Sequence, residues 1–485
     1  MSRARPVSRG LPAALAALAL LFPAGCGDSR APAAARAGNL RAVAGWPAPI
    51  LIVGIDALRA DHVSFAAEPA PDRPGPRGAR TRDTTPFLSE LAARGIVFDR
   101  AYAHASWSRA SMASLWTSRL PGDHGCTGRT GRLPEAATTL AEVLRDAGWD
   151  TRGLFNNGNL EAVFGLGQGF ADSRFVRGRT TSPYADAASL QRPWEELLAQ
   201  LSPPPFLVAL QLVDPHAPYH AHAAHDFRRP DGGSFDGSDL ALGPFRKRAP
   251  SAAHRRRAID LYDGELAALD ARLRRMFERL RATWLDSAWI VVVGSHGEGL
   301  WDHGSQGHGH QLYEEQVRVP LIVVPPGGLT TARRVPEPFP LIDLAPTLLD
   351  LVGLPACPDF HGQSWLASLL GDAAAPVRPI VLQQELDGER LAAVIDGKDK
   401  LIVDLERGTR RLFDLSGNPH EQLAFALDPD AQPSAVADRL AQVLAETLAR
   451  QARAGSARSE PLTAADLPVA LRLHLAALGY TGADG

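Results

Sequence analysis

Four uninterrupted apolar runs set the architecture of this 485-residue chain: ILIVGI (Ile50–Ile55), PFLVALQLV (Pro205–Val213), WIVVVG (Trp289–Gly294) and VPLIVV (Val319–Val324). A strand with one wet face alternates apolar and polar residues. An unbroken run suits a strand covered on both faces, as in a parallel sheet between helices. Between the second and third runs, Ile259, Tyr262, Leu266, Leu269, Leu273, Met276 and Leu280 recur every three or four residues and share one helical face. That stripe is core. A second helix is predicted within Ala136–Gly148, ending at the glycine. Strands alternating with helices predict an α/β sandwich around a mostly parallel central sheet.

Hydrophobic residues make up 45% and charged residues 22%, an ordinary globular balance. The net charge of -3, without a dense Lys/Arg run, gives no electrostatic case for nucleic acid. The N-terminus is more telling. Arg3, Arg5 and Arg9 precede LPAALAALALLF, which is too short to span a bilayer, and PAGC ends at Cys26. This resembles a bacterial lipoprotein signal (residues 1–26), with Pro23 where an aliphatic residue is usual. It implies an exported, periplasmic or cell-surface protein whose membrane contact is a lipid on Cys26. A soluble secreted protein cut nearby is the other reading. Cys126 and Cys357 are either a pair or two separate thiols; spacing does not decide.

Residues 27–48 lack apolar periodicity and read as a linker. The Pro-, Gly- and Arg-rich stretch from Ala66 to Asp83 reads as a surface loop within the main domain, residues 49–375. From about Pro376 the texture changes to short strands around turns such as Asp396-Gly397, followed by the helical AVADRLAQVLAETLARQARA. This predicts a small antiparallel subdomain over residues 376–455, with residues 456–485 as a tail.

Ligands of open α/β sheets bind beyond the carboxyl ends of the strands. Here ILIVGI delivers Asp56; the Pro205 run delivers Asp214 and His216 in DPHAPY; WIVVVG delivers Ser295, His296 and Glu298. Four of the 15 histidines lie between His296 and His310. A single Asp after a strand is usually a helix cap, but several polar groups leaving strands at one edge point to a site. Ser106 and Ser108 precede a helical ASMASLWTS. A hydroxyl there is most often a cap. The same position offers an anion free N–H groups and the positive end of the helix dipole.

Taken together, ILIVGIDALRADHVS, the Ser108 stretch, DPHAPY, SHGEGLWDHGSQGHGHQLYEEQVRVPLIV, LIDLAPTLLDLVGLP and RRLFDLSGNPHEQ resemble the sulfatase branch of the alkaline phosphatase superfamily, over about Pro49 to Ala426. The resemblance implies an alkaline-phosphatase-like fold and hydrolysis of sulfate or phosphate esters of small molecules or glycans. It implies a divalent ion, Ca²⁺ or Mg²⁺ first and Mn²⁺ or Zn²⁺ as alternatives, held by Asp56, Ser108 and His296. Ser108 would be the nucleophile. Asn157 and Asn159 in FNNGNL, His216 and His308 would bind the transferred group or protonate the leaving oxygen. Such a dianion needs cations and donors converging on it.

The departures from the family pattern carry information as well. Sulfatases proper convert a Cys or Ser to formylglycine within a Cys/Ser-x-Pro/Ala-Ser-Arg pattern, and here Met112 replaces that arginine. This favours unmodified Ser108 and phosphate esters or phosphoryl transfer as the alternative chemistry. Ala57 replaces a second acid, and Ser295 stands where the family has an aspartate before the histidine. Hard divalent ions favour carboxylates, so Ser295 weakens the site unless Asp302 or Glu298 substitutes. A pseudoenzyme that only binds anions is the third possibility.

Overall fold

The structure, a computed structural model, describes residues 39–67, 82–177, 186–227, 251–281, 286–422, 434–455, 461–463 and 466–477. The lipoprotein-like signal with Cys26, most of the linker and nearly all of the Pro-rich loop lie outside them.

Fourteen strands occur among the described residues: β1 (Ile50–Ile55), β2 (Ile96–Tyr102), β3 (Asp150–Phe155), β4 (Asp172–Phe175), β5 (Phe206–Leu212), β6 (Trp289–Gly294), β7 (Gly299–Leu300), β8 (Gln306–Gly307), β9 (Arg318–Val324), β10 (Arg333–Pro340), β11 (Ile380–Leu386), β12 (Glu389–Asp396), β13 (Asp399–Asp404) and β14 (Arg410–Asp414). Eight form a central sheet in the order β10-β2-β9-β6-β1-β5-β3-β4. Every pairing is parallel except those of β9 with β2 and β6. The four apolar runs are therefore neighbours, and only VPLIVV runs against the rest.

Both faces of this sheet are covered, as an unbroken apolar run requires. β1 sends Ile50 and Ile52 into one core and Leu51, Val53 and Ile55 into the other. The first core packs against α2 (Ser108–Thr117), α3 (Leu140–Asp146) and α6 (Leu344–Leu351), the second against α1 (Pro86–Ala92), α4 (Gln191–Ala199) and α5 (Ala252–Arg281). All seven members of the predicted stripe on α5 are buried, each contributing roughly 1.5–3 kcal/mol of apolar burial. A capping box starts α3, the Thr139 side chain and Glu142 each satisfying the other's backbone N–H.

The change of texture near residue 376 marks a second sheet, the antiparallel meander β11-β12-β13-β14. Its residues alternate between two cores. Ile380, Leu382, Ala393, Ile395 and Phe413 pack with Tyr102, Leu312 and Val317 of the main domain. Val381, Ala392, Val394, Leu401 and Leu412 face Ala437, Leu440 and Leu444 of α7 (Ala435–Ala454). Gly397 turns β12 into β13 with φ 61°, where a side chain would strain the backbone. Cys126 and Cys357 are separate thiols, and burial pushes that of Cys126 up to about 12. No helix among the described residues is long and apolar enough to cross a membrane.

Candidate active site

Register assembles the centre of the site. Ile55 of β1 is paired with Gly294 of β6 on one side and Leu212 of β5 on the other. The next residues, Asp56 and Ser295, therefore leave the sheet side by side, held by Ser295 N–H to the Ile55 carbonyl (2.9 Å) and Asp56 N–H to that of Leu212 (2.8 Å). Helix α2 begins at Ser108, and all ten of its residues are buried. The Ser111 hydroxyl, one turn in, donates to the Ser295 carbonyl at 2.5 Å and ties the helix to the end of β6.

Ser108 Oγ donates to Asp56 Oδ2 at 2.9 Å and lies 3.2 Å from His296 Nε2. His296 Nε2 is 3.4 Å from Asp56 Oδ1. The three groups that the family resemblance implies for one ion thus meet. Asn157 Nδ2 donates to Asp56 Oδ2 (2.7 Å) and to Ser108 Oγ (3.0 Å), while its carbonyl oxygen accepts from Asn159 N–H (2.9 Å). Asn159 Oδ1 accepts from Arg109 (3.0 Å), and its buried Nδ2 has no partner among the described residues. Ser295 Oγ donates to Asp56 Oδ1 at 2.5 Å.

Electrostatics follow from this packing. Burial opposes charge on Asp56, but His296, His216 and the Ser295 hydroxyl together hold its carboxyl well below the usual range. Burial likewise opposes charge on His296, yet Asp56 keeps it above the ordinary imidazole value. A chain of rings leads away from this pair: His296 against His308 with centroids 4.2 Å apart, then His308 against His216 at 4.8 Å. His308 Nδ1 faces Glu298 Oε1 at 3.2 Å, a carboxylate that favours a proton on that nitrogen. His216 differs. Its Nδ1 donates to the Ala217 carbonyl (2.6 Å), and burial with the neighbouring His308 pushes it down to about 4.

Other polar groups at this edge turn elsewhere. Asp214, delivered by β5, points to Ala187 N–H and Arg272 of α5 rather than to Ser108. Asp302 is paired with Arg59 at 2.7 Å and Glu298 with His308, so neither replaces the missing carboxylate beside Asp56. Arg59–Asp61 and His62–Asp263, both at 2.8 Å, brace the turn after β1. His303 stacks on Tyr313 and faces Glu315, and His310 faces Glu389.

One contributor escaped the sequence. Gln384 of β11 accepts from both the backbone N–H (3.1 Å) and the hydroxyl (3.0 Å) of Ser106, two residues before Ser108. The Ser106 carbonyl accepts from Gly309 N–H, beside His308, and a side chain at residue 309 would meet Leu386 of the same strand at 2.6 Å. No motif marks QQEL in the sequence; only the packing of the second sheet reveals it. Gln384→Leu is expected to lower kcat roughly 10- to 100-fold with little change in KM, because displacements well under an ångström matter at a nucleophile. Steady-state kinetics beside a melting curve check this; unchanged kcat in a folded variant would reduce Gln384 to packing.

The fold is alkaline-phosphatase-like, with Ser108 within the polar cluster at its sheet edge. The Sulfatase profile matches residues 50–354, and that of the N-sulphoglucosamine sulphohydrolase C-terminal region matches residues 304–450. The chain belongs to the sulfatase family, enzymes of the sulfuric-ester-hydrolase type with phosphoesterase relatives. It is 24% identical over 396 residues to the Delta 4,5-hexuronate-2-O-sulfatase of Bacteroides thetaiotaomicron, covering 72% of this chain and 81% of that protein. The phosphonate monoester hydrolase of Agrobacterium radiobacter superposes with a TM-score of 0.64 at 19% identity, covering 83% of this chain and 96% of the other. A protein solved with its substrate D-glucosamine-2-N,6-O-disulfate superposes with a TM-score of 0.67 at 18% identity, covering 84% and 98%.

Sulfatases generally use a divalent metal ion. The donors here fit one poorly. Among the described residues no three His, Cys, Asp or Glu side chains converge as an ion's ligands. Asp56 is the one carboxylate in the cluster, and its oxygens already accept from Ser108, Asn157 and Ser295.

Proposed function

We propose that this chain is an exported hydrolase of sulfate esters on small molecules or glycans, with Ser108 as the nucleophile. The observation that carries the reading is the meeting of Ser108, Asp56, Asn157 and His296 at the start of a buried helix. As Ser108 Oγ bonds to sulfur, its proton becomes strongly acidic and leaves by way of Asp56 Oδ2, the atom it faces, which passes it on to solvent because its carboxyl holds protons weakly. The His296 ring, 3.2 Å away, supports the oxygen as charge develops. The unpartnered Asn159 Nδ2 is a donor in wait for an anionic oxygen. The bond from sulfur to the alcohol oxygen breaks, and that oxygen takes a proton from His308, the histidine with a carboxylate behind it. Water then cleaves the Ser108 ester: its oxygen bonds to sulfur as Ser108 Oγ leaves, one of its protons returns to the serine by way of Asp56, and the other restores His308.

Plain serine is favoured over formylglycine because the family's arginine position is taken by Met112, whose side chain is buried in the apolar core. The phosphonate monoester hydrolase with the same fold keeps phosphorus esters as a second reading. Export, and tethering through Cys26, rest on the N-terminal signal-like segment. A panel of sulfate, phosphate and phosphonate esters tests the function. Turnover highest on sulfate esters is expected; preference for phosphorus esters would move the protein to the second reading, and no turnover would leave an anion-binding pseudoenzyme.

A further inference from the structure

We infer that protein hydrogen-bond donors have taken over the place of the family's divalent ion, and that Ser295 is the residue that made the exchange. The inference concerns the centre described above but does not require turnover. A carboxylate offers about four acceptor positions. At Asp56 three are filled by O–H or N–H donors: Ser108 (2.9 Å) and Asn157 (2.7 Å) on Oδ2, and Ser295 (2.5 Å) on Oδ1. The His296 ring, 3.4 Å from Oδ1, lies against the remaining side.

The orientation of Asn157 is the second observation. Its oxygen is committed to the Asn159 backbone N–H at 2.9 Å, which leaves the NH₂ end toward Asp56 and Ser108. An amide that ligated a hard cation would present its oxygen, whereas an NH₂ group repels one. Flipping the amide would set its NH₂ against another N–H. Ser295 cannot make up the difference. A hydroxyl adds no charge, and the candidate replacement carboxylates, Asp302 and Glu298, are paired with Arg59 and His308.

Divalent ions should therefore bind only in the millimolar range, where sites with few charged ligands sit. An aspartate at position 295 would stand beside His296 and opposite Asp56 in the β1–β6 register, giving two carboxylates and an imidazole around one point.

The test uses the full chain, stripped with chelator and titrated calorimetrically with Ca²⁺, Mg²⁺, Mn²⁺ and Zn²⁺ in turn, with melting followed in parallel. Wild type should show no saturable site below about 1 mM and a melting temperature indifferent to chelator. Ser295→Asp should gain one site on the order of 100-fold tighter, removed again by adding His296→Ala. Wild-type binding of one ion at micromolar concentration, lost in Asp56→Asn, would overturn the inference whatever the variant does. So would a folded Ser295→Asp that binds no better than wild type. These readings do not involve ester cleavage, so an inactive protein would sink the hydrolase reading and leave this one standing.

Discussion

Ser108→Ala is expected to lower ester turnover by about 10⁴-fold or more, since residues acting as one nucleophilic unit lose most of their effect with any single member. The fold should survive. Ser108 is fully buried, but its hydroxyl meets only the Asp56 cluster, and Asn157, Ser295 and His296 still satisfy that carboxylate. Removing the hydroxyl forfeits one hydrogen bond, about 1 kcal/mol. Activity and stability thus separate cleanly. Peptide mass spectrometry of wild type should find plain serine at 108. Formylglycine there would restore the modified-residue mechanism, and a folded Ser108→Ala with normal turnover would remove Ser108 from the chemistry.

The largest stability effect is expected at Lys400 on β13. Its Nζ, fully buried, is 2.9 Å from Glu314 Oε1 and 3.0 Å from Glu421 Oε1, so one cation serves two carboxylates. Glu314 also accepts from the Tyr102 hydroxyl at 3.0 Å and lies 3.8 Å from Arg318. Burial disfavours the ammonium, but the two glutamates hold it well above its ordinary value. Burial and the crowding of Glu314 and Glu315 push Glu421 up to about 7. Lys400→Met strands both carboxylates in the seam between the sheets. Breaking a buried pair on one side costs about 3–5 kcal/mol, and melting should fall by roughly 3–5 °C in a chain of this length. Neutralising the partners as well, in Lys400→Met/Glu314→Gln/Glu421→Gln, should recover much of the loss, because matched neutral groups replace such networks at little cost. A triple variant no more stable than the single one would show that packing, not stranded charge, sets the effect.

Much of this molecule was legible in advance, for physical reasons. Short unbroken apolar runs suit strands covered on both sides, and β1, β5, β6 and β9 are such strands. The α5 stripe and the helix Ala435–Ala454 follow from spacing alone. Asp56, Ser108 and His296 stood out because each sits at an element's end, but their roles, and Asn157 altogether, came from the resemblance to sulfatases. What stayed hidden depends on partners supplied by distant segments. Asp214 leaves β5 as a candidate ligand would, but Arg272 on α5 draws it away. The hydroxyl of Ser295 acquires its meaning only from the β1–β6 register, and Gln384 only from how the second sheet docks. Spacing and periodicity report the element a residue belongs to, not which remote side chain answers it.

The grip of β11 on Ser106 bears on how the protein comes to life. Synthesis delivers Ser108 long before residue 384, so a nascent chain carries its serine without the clamp that aims it. Hydrolytic competence then arrives late, with the last quarter of translation. Truncation within the terminal sheet would silence the molecule even where every residue of the cleavage centre is present.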